Sequence, residues 1–162
     1  MLKRLGRTRR LWLVLGIASA LTIGGLIPMA ANATNIGEQG CTPGYWKNHT
    51  SAWEEYTTAS TIGNNWTLPP ELAGFKHETF LEALQGGGGP GLTGGATILF
   101  RAAVAAYLNA ASEGVGYPYR RFTDPFNMKL QINNALASLD RDTMLDLAKV
   151  LDDANNLGCP LN

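Results

Sequence analysis

The sequence predicts a mainly α-helical domain: three main helices, one or two short ones, and an irregular aromatic-rich N-terminal segment, tied by a terminal disulfide. Three observations carry that expectation. Apolar residues recur at helical spacing in long segments of the C-terminal two thirds. Alternating period-2 runs are nearly absent. The two cysteines, Cys41 and Cys159, stand at opposite ends of the segment that would fold.

The chain opens with Lys3, Arg4, Arg7, Arg9 and Arg10 and no acidic residue, followed by an apolar run from Leu11 to Ile27 and by Ala31-Asn32-Ala33. These are the three parts of a cleavable secretory signal, so residues 1–33 are expected to be removed after Ala33. The alternative is a membrane anchor. The run is at the short end of the spanning range, and Gly16, Gly24 and Gly25 weaken it. Thr8-Arg9-Arg10 loosely resembles a twin-arginine signal, which leaves the general and twin-arginine export routes both open. Residues 34–40 read as a flexible leader and 41–162 as one extracellular domain.

Export changes the charge. The full chain balances 13 basic against 13 acidic residues, and the signal holds five of the basic ones. A net negative domain remains. That argues against a nucleic-acid partner and against docking on an anionic membrane once the signal is gone. In an exported chain two cysteines usually pair, so Cys41 and Cys159 are the expected disulfide. The alternatives are two free thiols or a zinc site. Zinc wants about four ligands, and no Cys-x-x-Cys pair is present to start one.

Along the chain, Ser51-Ala52-Trp53-Glu54 has capping-box spacing and predicts a short helix start. Glu78 to Leu84 reads as a second short helix. Residues 86–95 are glycine-rich, a hinge or a loop that must hug something closely. Ala96 to Ala111, ATILFRAAVAAYLNAA, is apolar nearly all round, which predicts a helix buried on most sides. At sixteen residues it reads as too short to cross a bilayer. Asp124-Pro125 predicts an N-cap and first helical position for a helix running to about Ser138, with Met128, Ile132, Ala135, Leu136 and Leu139 on one stripe. Asp140 is placed to cap the last helix, whose Met144, Leu147, Ala148, Leu151 and Ala154 should face inward. Asp152-Asp153-Ala154-Asn155-Asn156 lacks the spacing and glycine of a calcium loop and reads as a fraying helix end. Gly158 stops the helix and Pro160 prevents its continuation.

The most distinctive string is Gly40-Cys41-Thr42-Pro43-Gly44-Tyr45-Trp46-Lys47-Asn48-His49. It resembles a loosely defined set of exported bacterial and archaeal proteins in which GCTPG, then Tyr or Phe, then WKNH comes early in the mature chain. The LFRAAVAAYLNA helix and the LDDANNLGCPL tail resemble that set too. The resemblance implies an extracellular domain with its first and last cysteines paired, and no established activity.

Pro43-Gly44 reads as a turn that presents Tyr45 and Trp46, with Lys47 and Asn48 at the rim, as a contact surface for a glycan or a surface protein. The competing reading makes these rings, with Trp53 and Trp66, the core of a segment poor in aliphatics. A small extracellular hydrolase acting on cell-wall or polysaccharide material is the runner-up, with His49, His77, Glu54 and Glu78 as candidates for acid–base work. A purely structural envelope protein is the third. No motif points to a metal or cofactor, and the oligomeric state is not legible. The leading expectation is a non-enzymatic exported domain for binding.

Overall fold

The computed structural model describes residues 37–161. The signal segment and the expected cut after Ala33 lie outside the described residues. Those described form a helical domain in the order α1 (Pro43–Asn48), α2 (Ile62–Asn65), α3 (Phe80–Gln85), α4 (Gly91–Ala111), α5 (Met128–Ala137) and α6 (Arg141–Asn155), with 3-10 turns at Thr50–Ala52 and Pro70–Phe75. Only isolated β-bridges occur among the described residues, one of them joining Gly40 to Gly158 beside the disulfide. Cys41 and Cys159 are bonded, with Cα atoms 4.3 Å apart across 118 residues of chain.

Helix α4 is the axis. It packs most extensively on α6, then on α3, and α1 sits across α3 and α4. The unbroken block from Ala102 to Asn109 is buried, as are Ala96, Leu99 and Phe100. Small side chains let the neighbours come close, and nearly every face of the helix meets one. The helix runs 21 residues, so it is long and apolar enough by composition to cross a bilayer. The sequence argument from length is therefore corrected. Burial within this domain, at 67% of its most apolar window, marks it instead as a core helix.

The extra length comes from the glycine-rich stretch. Residues 86–90 are the expected loop, while Gly91, Gly94 and Gly95 form the first turns of α4 rather than a hinge. The close approach expected of these glycines is present. A Cβ on Gly94 would fall on the backbone carbonyl of Gly89, and one on Gly95 would lie 2.9 Å from Arg141 Cγ. Arg141 reaches back to the Gly89 carbonyl at 3.4 Å. Gly94→Ala is expected to destabilise by about 2–3 kcal/mol in chemical denaturation, although alanine favours helix by about 1 kcal/mol. The clash wins because it is with backbone, which cannot swing aside. A variant at least as stable as the parent would show that the loop is not seated on the helix.

Several further details of the helices depart from the sequence expectation. Ser51 starts no helix: Trp53 is extended, and Glu55 has φ 61°. The Glu54 carboxylate, instead of closing a box on Ser51, accepts from Ser112 Oγ (3.2 Å) and the Glu113 N–H (3.0 Å) past the end of α4. Helix α5 starts at Met128, not Pro125, and its cap is Asn127 rather than Asp124, through a bond from the Leu130 N–H at 3.1 Å. The first N–H groups are taken by the preceding loop, Met128 donating to Arg120 O and Lys129 to Arg121 O. Leu139 leaves the apolar stripe; it is exposed, with φ 53°, in the turn before α6. Finally, 152–156 is no fraying end. Ala154 and Asn155 are buried, and Leu147, expected inside, is only half-buried.

Asp140 caps α6 as expected, accepting from the Thr143 N–H at 2.7 Å, and Met144, Ala148 and Leu151 face inward. Thr79 and Glu82 form a capping box at the start of α3. Residues 37–40, read as a flexible leader, are hydrogen-bonded: Gly37 and Gln39 donate to Gly116 O, and Gly40 donates to Gly158 O.

The aromatic segment packs onto α4. Trp66 stacks on Phe80 (centroids 5.5 Å) and Phe100 (5.9 Å) and meets Tyr107 edge-on at 4.9 Å. Phe75 adds to Phe100 at 5.1 Å. The rings take the place of the missing aliphatics, as the core reading of this segment required.

Candidate functional site

The distinctive N-terminal string folds as a helix, not as a turn. Thr42 is the N-cap, its Oγ1 accepting from the Tyr45 N–H at 3.1 Å, and Pro43 takes the first helical position, where a missing N–H costs nothing. Successive side chains of α1 step about 100° around the helix, so one of them can face the core while its neighbours face solvent. Trp46 points inward and is fully buried, so its expected role in an exposed contact surface is overturned. Its indole N–H donates to Asn109, the residue that also holds Cys41. Tyr45 is half-buried; Lys47, Asn48 and His49 are exposed.

What receives Trp46 is a buried polar knot. Asn109, near the end of α4, is fully buried and uses all its bonding capacity. Its Oδ1 accepts from the Cys41 N–H (2.8 Å) and from Trp46 Nε1 (3.0 Å); its Nδ2 donates to Cys41 O (2.8 Å) and to Asn155 Oδ1 (2.9 Å). Asn155, also fully buried, donates to Ala102 O at 3.0 Å and accepts from the Tyr117 hydroxyl at 2.9 Å. The amide of Asn109 thus pairs with both backbone groups of Cys41, beside the disulfide. The three strings that stood out in the sequence meet here: Cys41 and Trp46 from the first, Asn109 from the second, Asn155 and Cys159 from the third. Their prominence is explained by a latch that closes the fold, and a satisfied network of this kind is rigid.

Sequence reasoning missed Asn109 and Asn155 as partners. One signal was available: Asn109 is an amide in an otherwise apolar helix, and a buried amide must be bonded.

The hydrolytic candidates are not brought together by their bonds. His49 sits at the end of α1, its Nδ1 donating to Tyr45 O at 2.9 Å, with the ring stacked on Tyr45 (centroids 4.1 Å, 13° between planes). Glu54 is engaged at the far end of α4 with Ser112 and Glu113. His77 is exposed in the turn before α3. Glu78, beside it, is half-buried; burial and then the nearby Glu82 charge raise its carboxyl above the usual range. Glu82 is lowered by the Thr79 backbone and hydroxyl donors. No group of three or more His, Cys, Asp or Glu among the described residues is arranged to hold a metal.

Beside α1 lies a cleft of about 300 Å³, walled by Pro43, Gly44 and Lys47 of α1, Leu84 of α3, Arg101 of α4, and Asp152 and Asn156 at the end of α6. A recess of about 200 Å³ adjoins it through the shared Arg101 and Asp152, and is lined otherwise by Ile98, Ala102, Leu145, Ala148 and Lys149. A third cleft, of about 380 Å³, lies between Gly63, Trp66, Leu68 and Lys76. Of the residues expected to form a contact surface, Lys47 alone lines the first cleft.

Compared with protein-family models, with curated proteins and with solved structures, the chain matches none of them.

Proposed function

We propose that the chain is a non-enzymatic exported domain that binds a glycan or a protein at the cell surface. The observation that carries this reading is the exposed face of α1. Tyr45 and His49 present a stacked pair of rings, and Lys47 and Asn48 present donors beside them. All four stand on a helix whose inner side, Trp46, is fixed by Asn109 and the disulfide. A polar and aromatic face held by a rigid support loses little entropy on binding. The disulfide supports an oxidising compartment, and with it export.

The test is binding of the purified, oxidised protein to intact cells, wall material and a glycan panel. Lys47→Ala combined with Asn48→Ala is expected to weaken binding about tenfold, with the melting temperature held within about 2 °C, as for surface substitutions worth at most ~0.5 kcal/mol. The exported material should begin at Thr34 by mass spectrometry. Binding unchanged in the double variant would remove the α1 face from the site. Release of sugar or peptide fragments from the wall material would overturn the non-enzymatic reading.

A further inference from the structure

We propose that the cleft beside α1 takes a carboxylate bearing an amide N–H and a small aliphatic group, the chemistry of the C-terminus of a short peptide. The proposal rests on the reading of the chain as a binding domain and names what one part of that surface would hold.

Two cations, Lys47 and Arg101, and one carboxylate, Asp152, wall the cleft. The ion pairs among the described residues are Arg121–Glu55 and Lys149–Asp153. Neither Lys47 nor Arg101 takes part in one. Lys47 is exposed, and Arg101 is half-buried with one long bond, from Nη1 to Gly86 O at 3.4 Å. A half-buried guanidinium held by one long bond keeps donors to spare for a carboxylate, which it can bind through two parallel bonds. Asp152 lies on the same wall, half-buried. Its backbone carbonyl accepts from Asn156, while its carboxylate has no hydrogen-bond partner among the described residues. It therefore offers a free acceptor.

The order of these groups selects the ligand. Arg101 and Asp152 form the seam between the polar cleft and the recess. On one side of the seam stands Lys47; on the other are Ile98, Ala102, Leu145 and Ala148, with Lys149, ion-paired to Asp153, at the edge of the lining. Lys47 in the cleft, Arg101 and the Asp152 acceptor at the seam, and a mainly aliphatic recess beyond match three groups that a C-terminal residue carries on one carbon: its carboxylate, its N–H and its side chain. A bare anion would meet the like charge of Asp152. A neutral sugar would leave both cations unmet. The recess, at about 200 Å³, has room for a small aliphatic side chain but is not a channel for a long one.

The probes are N-acetyl-alanyl-alanine with a free carboxylate, its C-terminal amide, glucuronate and inorganic phosphate, titrated into the isotope-labelled, oxidised protein and followed by NMR. The free-carboxylate peptide is expected to give saturable shifts at Lys47, Leu145 and Ala148, and the amide form none. Lys47→Gln should weaken the peptide about 5- to 10-fold. Asp152→Asn should weaken the peptide about threefold while strengthening phosphate, because only the peptide carries an N–H for it. Neither side chain makes a hydrogen bond among the described residues, so both variants should melt close to the parent. Three results would each overturn the proposal: no saturable shift with the peptide, equal response to glucuronate or phosphate with Leu145 and Ala148 unmoved, or tighter peptide binding in Asp152→Asn. If any of these occurs while the protein still binds cells or wall material, the subsite alone falls. If cell and wall binding also fails, the binding reading falls with it.

Discussion

Removing the disulfide, by Cys41→Ala with Cys159→Ala, is expected to lower stability by about 4–5 kcal/mol, the chain-entropy value for a loop of this length. The bridge spans 118 residues, nearly all of the described domain, so the unbridged unfolded chain gains close to the most freedom a domain this size can gain. Alanine is the right replacement at position 41. Cys41 is fully buried, and a serine hydroxyl there would need a partner that the surrounding knot has already used. The native end of the equilibrium should change little, because Asn109 still grips both backbone groups of Cys41 and Gly40 still bonds Gly158. The loss should therefore lie mainly in the unfolded state, with near-native far-UV and near-UV circular dichroism under mild conditions. A domain of this size has total stability of about 5–15 kcal/mol, so the variant should be marginal at 37 °C. A loss below about 1 kcal/mol in urea denaturation would mean that the unfolded chain is already held compact without the bridge.

Asn109→Leu is expected to cost roughly 3–5 kcal/mol, although leucine is close in volume and more apolar. The amide serves four groups at once, and after its removal the Cys41 N–H, the Cys41 carbonyl and the Trp46 indole N–H are left buried with nothing to bond. Asn155 keeps its bond to Ala102 and its bond from Tyr117, so the damage stays on the α1 side of the knot. Each orphaned group costs about 1–3 kcal/mol, and partial relaxation keeps the sum below the upper limit. A double-mutant cycle identifies the cause. Trp46→Phe removes one donor and should cost about 1–2 kcal/mol alone, but clearly less in the Asn109→Leu background, where that donor is already orphaned. Strict additivity would show that Trp46 contributes packing only. If Asn109→Leu instead stabilised the domain, the knot would not be what holds α1.

Most of the helical plan was legible in the sequence, and the reasons are local. Asp140 had a side-chain acceptor next to a segment of period 3.6, and it caps α6. The short helix expected over Glu78 to Leu84 is present as α3, though it starts at Phe80 behind a capping box of Thr79 and Glu82. The apolar block from Ala96 to Ala111 could only be buried, and it is. The boundaries that moved did so because groups outside the helix competed for the same residues, from the adjoining loop in one case and from the far end of α4 in the other. Pro125 lost the start of α5 to loop carbonyls at Arg120 and Arg121. Ser51 lost its helix because Glu54 was drawn to the end of α4.

The candidate site divides in the same way. Composition and spacing alone determined a mainly helical chain, one pair of cysteines at the ends of the domain, and a dense motif at Cys41–His49. Which side of that motif faces solvent was not written in it. A tryptophan is as suitable for a contact surface as for a core, and only the position of Asn109, 63 residues away, settles that the Trp46 indole turns inward. The cleft belongs wholly to tertiary structure. Lys47, Arg101 and Asp152 come from three helices, and none carries a signature at its own position. Local sequence sets backbone propensity and periodicity through neighbours a few residues apart. The pairing of buried polar groups, and the setting of two cations outside the ion pairs of the described residues, depend on where whole helices are set against one another.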